Sequence, residues 1–152
     1  GFLTGNSLTY IGGGTIDYTK KAQQSVVSKF AELIKKGGYL FIDSRNYDYI
    51  RSLMNLPIQD VLKNFSFDYT VYYHGSGKDI MVFPAYISDT VIVLHYYDKK
   101  RKIWGKLDLY PIYQKDMIEI LSKDFVIEKI YHDFREGKKE KSLFVQYLAR
   151  RK

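Results

Sequence analysis

The chain has 152 residues, 45% of them hydrophobic, which suits one compact domain with a real core and excludes intrinsic disorder. Its net charge is +7, from 24 Lys+Arg against 17 Asp+Glu, and it has no cysteine; that removes disulfides, thiolate zinc sites and thiol nucleophiles. No apolar run approaches the roughly 18 residues needed to span a bilayer, and no basic-then-apolar segment opens the chain, so no membrane partner is expected and the default setting is cytoplasmic.

Phe2 to Thr4 reads as the end of a strand, and Gly5-Asn6-Ser7 as the turn after it. Gly12, Gly13 and Gly14 then form a flexible loop, with Asp17 or Thr19 as the cap of the next helix. From Lys20 to Lys36 the apolar residues Val26, Val27, Phe30, Leu33 and Ile34 recur at helical spacing. Lys35 and Lys36 favour the helix C-terminus, and Gly37 is a natural C-cap. Tyr39 to Ile42 is a short, continuous apolar strand, so the opening reads as a βαβ unit with parallel pairing. Tyr47 to Met54 reads as a short helix stopped before Pro57.

After that the pattern changes. FSFDYTVYYHGSGKDIMVF, DTVIVLHYYDKK and KIWGKLDLYP are rich in β-branched and aromatic residues and are separated by polar turns, as in an antiparallel meander. Tyr113 to Leu121 has helical spacing in Ile112, Met117, Ile120 and Leu121. FVIEKIYHDF and KSLFVQYLARR make two last strands joined by a polar connection, which suggests an antiparallel edge on an otherwise parallel sheet. Three segments result: residues 1–56 as a strand-helix-strand core, 57–108 as an antiparallel insert, and 109–152 as a helix and hairpin that return to the core.

Ligands of open α/β sheets bind beyond the carboxyl ends of the strands. Two such ends are readable, Gly5-Asn6-Ser7 and Asp43-Ser44-Arg45-Asn46-Tyr47. If their strands are neighbours, the two loops converge. Asn6 brings an amide, and Arg45 a fork that matches a carboxylate in two parallel bonds. The plainer account makes Arg45 a surface ion-pair partner of Asp43 or Asp48 and Asn6 a turn residue. Gly12 to Gly14 lack G-x-G-x-x-G spacing, and the Thr-Ile-Asp-Tyr that follows does not read as an immediate helix, so a lid hinge is preferred to a phosphate loop. His74, His95 and His132 lack metal-ligand spacing and read as cross-strand packing. There is no nucleophile elbow, and a nucleic-acid role has only charge and 15 tyrosines behind it, with the basic residues gathered in GKKEKS, ARRK and DKKRK, which read as solvated turns and tail.

GNSL, a helix ending in KKGG, and YLFIDSRNYDYI together resemble the second half of class I S-adenosylmethionine-dependent methyltransferases, and more narrowly the glycine and glycine/sarcosine N-methyltransferases. The D-x-R-N-Y-D signature is present as Asp43, Arg45, Asn46, Tyr47 and Asp48; the preceding turn lacks the family's proline. VYYHGS, VLHYYD and LDLYP extend the similarity across the insert.

The resemblance implies an α/β fold, the C-terminal portion of a Rossmann-like methyltransferase sheet with an antiparallel insert and a terminal antiparallel hairpin. It implies methyl transfer from S-adenosylmethionine to a small amino acid such as glycine or sarcosine. Arg45 would clamp the acid's carboxylate, Gly5 and Asn6 would hold the substrate, Tyr73, Tyr96 and Tyr110 would present hydroxyls, and Leu3 and Ser7 would touch the cofactor. The glycine-rich turn and ribose-binding acid of that family do not occur in these residues. The expected partner is therefore an N-terminal half-domain or, in a homo-oligomer, another copy, and the alternative reading is a non-catalytic binding module on a methyltransferase-like fold.

Overall fold

A computed structural model describes residues 1–3, 7–53, 80–137 and 141–152. The first strand, β1 (Phe2–Leu3), is followed by a 3-10 turn over Ser7–Tyr10 and by α1 (Ile16–Leu33). Thr15, not Asp17 or Thr19, is the N-cap: its backbone is extended and its hydroxyl accepts from the Tyr18 amide at 3.2 Å. Asp17 sits in the first turn, where a carboxylate suits the positive end of the helix. The Thr-Ile-Asp-Tyr stretch is thus the start of the helix itself.

Gln23, Val27 and Ala31, four residues apart, are the buried stripe of α1. Gln23 is inside because its amide donates to the carbonyls of Leu8 and Ile11, tying the 3-10 turn to the helix. The helix stops before the lysines, with Ile34 as its C-cap. Gly37 takes a left-handed φ of 76° in the turn beyond, so its backbone freedom serves the turn and not the cap.

The next strand, β2 (Tyr39–Arg45), runs three residues past Ile42. Leu40, Ile42 and Ser44 are buried, while of the alternate residues Tyr39 is exposed and Phe41, Asp43 and Arg45 are half-buried. The extension follows from pairing: every residue from Tyr39 to Arg45 has a partner in the last strand. Two short helices come next, α2 (Tyr47–Ser52) directly after β2 and α3 (Gln114–Ser122) much later in the chain. The C-terminal strands are β6 (Phe125–His132), β7 (Arg135–Glu136) and β8 (Phe144–Arg151).

The chain divides into two units, Gly1–Tyr49 with Ile112–Lys152, and Ile50–Pro111. In the first, the sheet order is β1-β2-β8-β6-β7. Strands β1 and β2 are parallel, as expected, whereas β8 is antiparallel to both its neighbours. The final hairpin forms and makes the antiparallel end of the sheet, with its second strand, β8, lying between β2 and β6. The burial of β8 explains this: Val145, Gln146, Tyr147 and Ala149 are all at or below 2% exposure, which suits a strand flanked on both sides. Leu40, Ile42, Val145, Tyr147 and Ala149 from the sheet meet Val27 and Ala31 of α1 and Met117, Ile120 and Leu121 of α3 in one core.

The basic C-terminus is not a free tail. Lys152 Nζ donates to the Ser122 and Lys123 carbonyls and Arg151 Nε to the Ala31 carbonyl, so the cations close the carboxyl ends of α3 and α1.

The second unit holds a three-stranded antiparallel meander, β3 (Ile80–Ile87), β4 (Ile92–Asp98) and β5 (Ile103–Leu109). The DKKRK turn is held by Asp98, whose Oδ1 accepts from the amides of Lys100 and Arg101 at 2.9 Å each. The rest of the expected meander, with GSGKD and His74, lies outside the described residues.

Candidate functional site

Strands β1 and β2 are parallel neighbours with Leu3 opposite Ile42, so their carboxyl ends open on the same side of the sheet. That is the condition under which the two candidate loops converge. Leu3 is the last residue of β1, and Ser7 opens the 3-10 turn after it. Gly5, Asn6 and Tyr73 lie outside the described residues.

Arg45 is the last residue of β2 and is half-buried. It pairs in register with Phe144 of β8, and its guanidinium carbon stands 5.0 Å from the centre of that ring. At this distance the ring face attracts the cation and gives its planar fork a preferred orientation. Asp43, two residues back and on the same face of the strand, accepts from Gln146 Nε2 at 2.8 Å. Gln146 is fully buried, and its Oε1 in turn accepts from the Phe134 amide at 2.9 Å. The turn that delivers this amide has left-handed backbone at Asp133 and Phe134, and Asp133 stays there because its carboxylate accepts from the Leu143 and Phe144 amides.

Asn46 and Asp48 of the signature make hydrogen bonds within the fold. Asn46 is 6% exposed. Its Nδ2 donates to the carbonyl and hydroxyl of Ser142 at 3.0 and 2.9 Å, and its Oδ1 accepts from the Tyr49 amide at 3.2 Å, capping α2. Asp48 reaches α3: its Oδ2 accepts from the Gln114 amide at 2.8 Å, supplying the N-terminal acceptor that Tyr113 does not. Tyr147 lies buried in the core, and burial, reinforced by the Asp48 charge, pushes its hydroxyl well above the usual tyrosine range. Asp43 before Arg45, and Asn46 and Asp48 after it, are therefore fixed by hydrogen bonds, which holds the arginine on a rigid frame.

In the second unit, Tyr96 and Tyr97 of β4 point to opposite faces of the meander. Tyr97 packs on Trp104 of β5, with ring centres 4.8 Å apart. Tyr96 shares its face with the buried Ile92 and Leu94 and stands opposite Gly105. Tyr110 is half-buried just beyond β5. His95 lies in β4 opposite Lys106, and His132 in β6 opposite Val145, so both are cross-strand residues as expected. Among the described residues no group of three His, Cys, Asp or Glu is placed to hold a metal, and no helix is long and apolar enough to cross a membrane.

Phe144, Ser142 and Gln146 carried no signal as site residues in the sequence. Only Gly105 leaves a trace, as a glycine inside a strand, which often marks a close approach of another group.

The chain is 27% identical over 146 residues to the glycine/sarcosine/dimethylglycine N-methyltransferase of Actinopolyspora halophila, covering 93% of this chain and 22% of that protein. It is 25% identical over 134 residues to the glycine/sarcosine N-methyltransferase of Aphanothece halophytica, covering 87% of this chain and 43% of that protein. It thus spans less than half the length of these relatives, in their C-terminal part. An S-adenosylmethionine-dependent methyltransferase from Clostridium acetobutylicum ATCC 824 matches 95% of this chain and 55% of its own, with TM-score 0.58 and 11% identity. The CcbJ methyltransferase from Streptomyces caelestis matches 99% of this chain and 59% of its own, with TM-score 0.58 and 13% identity. No protein-family model matches. The chain has the α/β fold of S-adenosylmethionine-dependent methyltransferases, over about half of such a fold, and its sequence is similar to the glycine/sarcosine N-methyltransferases.

Proposed function

We propose that this chain is the substrate-side part of an S-adenosylmethionine-dependent N-methyltransferase acting on a small amino acid such as glycine or sarcosine. The observation that carries the reading is Arg45: a half-buried guanidinium at the carboxyl end of β2, beside a parallel strand, backed by the Phe144 ring. Its fork is the group that binds a carboxylate in two parallel bonds. The similarity to named glycine/sarcosine N-methyltransferases along most of this chain supports the same substrate class.

Methyl transfer to an amine is an in-line displacement, so the task of the protein is to hold the acceptor nitrogen in line and dry. In this reading Arg45 fixes the carboxylate end, and Gly5 and Asn6 lie along the substrate. Tyr73, Tyr96 and Tyr110 supply hydroxyls, and Leu3 and Ser7 border the methyl donor. S-adenosylmethionine supplies the electrophilic methyl group. The described residues do not form a set that holds its ribose or adenine: the nearby acids are engaged, Asp43 by Gln146 and Asp48 by the Gln114 amide. In this reading that part of the site is supplied by an N-terminal half-domain or by a partner copy.

The test is the methylation of glycine by the full-length protein and its Arg45→Ala and Arg45→Lys variants, with calorimetry of S-adenosylmethionine binding alongside. Arg45→Ala should raise KM for glycine on the order of a hundredfold, as expected for loss of a charge-assisted pair of bonds, with donor binding unchanged. Arg45→Lys should recover only part of it. Unchanged glycine kinetics in Arg45→Ala would remove the carboxylate-clamp role.

A further inference from the structure

Gly105 has no side chain at a place where one would collide with a proposed substrate-binding group. In the meander Gly105 of β5 stands directly opposite Tyr96 of β4, on the same face. A Cβ built on Gly105 would overlap the Cζ and Oη atoms of Tyr96. The phenol ring therefore lies flat across β5, and its hydroxyl occupies the space above Gly105. Directly opposed residues have Cβ atoms about 5 Å apart, and most pairs stand side by side from that distance. Here one partner has given up its side chain and the other lies down over it.

One end of this face is buried: Ile92 and Leu94 of β4 and Leu109 of β5 share it, at 1%, 8% and 5% exposure, while Leu107 and Tyr96 each keep 37%. The opposite face carries the exposed Trp104 and Lys106. Tyr96 is thus packed along its ring and open at part of its surface, as suits an aromatic group whose hydroxyl meets a small ligand.

We infer that Gly105 is a positioning residue for the Tyr96 hydroxyl and, through it, for the methyl acceptor. This rests on the proposed role of Tyr96 at the substrate. A methyl group at Gly105 leaves the backbone hydrogen bonds of β5 intact but forces the ring into another rotamer. The hydroxyl then moves by more than the roughly 1 Å that, in an aligned displacement, costs on the order of a hundredfold in rate.

The experiment compares Gly105→Ala, Tyr96→Phe and the double variant in the full-length protein, by glycine methylation and by thermal unfolding, with Tyr96→Ala and Tyr96→Ala/Gly105→Ala added. Gly105→Ala should lower kcat/KM about tenfold to a hundredfold. The double variant Tyr96→Phe/Gly105→Ala should be no worse than Tyr96→Phe, because the hydroxyl to be displaced is already gone. In unfolding, any fall in Tm caused by Gly105→Ala should vanish in the Tyr96→Ala background, where no ring remains to collide. This holds even if the single variant folds too poorly to assay. Activity of Gly105→Ala within twofold of the parent, or an equal loss of Tm with and without the Tyr96 ring, overturns the inference. Kinetics unaffected by Tyr96→Phe, together with rescue of Tm by Tyr96→Ala, would instead uphold the packing and refute the role of Tyr96 at the substrate.

Discussion

Asn46 lies next to Arg45, and its substitution separates structure from chemistry within the signature. Replacing it by alanine removes the Oδ1 that accepts from the Tyr49 amide, a helix cap that contributes about 1 kcal/mol. It also removes both donors to Ser142, which is 1% exposed. A buried carbonyl and hydroxyl left without a partner cost about 1–3 kcal/mol together, since part of the loss is recovered as the site relaxes. Asn46→Ala should therefore lower the unfolding free energy by about 2–4 kcal/mol, read by equilibrium urea unfolding with linear extrapolation. Asn46→Asp sharpens the test. It keeps the acceptor for Tyr49 but turns a carboxylate toward the Ser142 carbonyl, and should be at least as damaging. A loss for Asn46→Ala below about 0.5 kcal/mol, the range of ordinary surface substitutions, would refute the reasoning. So would an Asn46→Asp variant as stable as the parent.

Two further outcomes follow from backbone and burial. The Tyr147 hydroxyl titrates higher in the fold than in the unfolded chain, chiefly because it is buried. Its contribution is complete below the ordinary tyrosine value near 10 and is lost as pH rises above it, because the unfolded chain ionises first. Urea midpoints measured across that alkaline range should fall less steeply for Tyr147→Phe than for the parent; parallel slopes would show that Tyr147 is not the titrating group. Gly37 has open space around its missing side chain but a φ of 76°. Gly37→Ala should then cost about 1 kcal/mol from backbone strain alone, seen as a lower Tm, and an unchanged Tm would mean that the turn relaxes.

What depends on near neighbours was readable along the chain. The spacing of Val26, Val27, Phe30, Leu33 and Ile34 made a helix, and alternating residues in DTVIVLHYYDKK made a strand of the meander, because periodicity acts over a few residues; the end of β2, read at Ile42, came three residues later at Arg45. The helix boundaries slipped where two capping solutions compete locally, as at Thr15 against Asp17 and Thr19. Tertiary structure decided the rest. The place of β8 inside the sheet follows from having β2 and β6 to pair with on its two sides, which no local pattern encodes. The frame around Arg45 joins residues far apart in the chain: Asn46 to Ser142, 96 positions on, and Asp43 to Gln146, 103 positions on. Cross-strand register brings these groups together, as it lays the Tyr96 ring over Gly105. Register is set only when whole strands bury their faces, so the sequence could name the arginine but not what holds it in place.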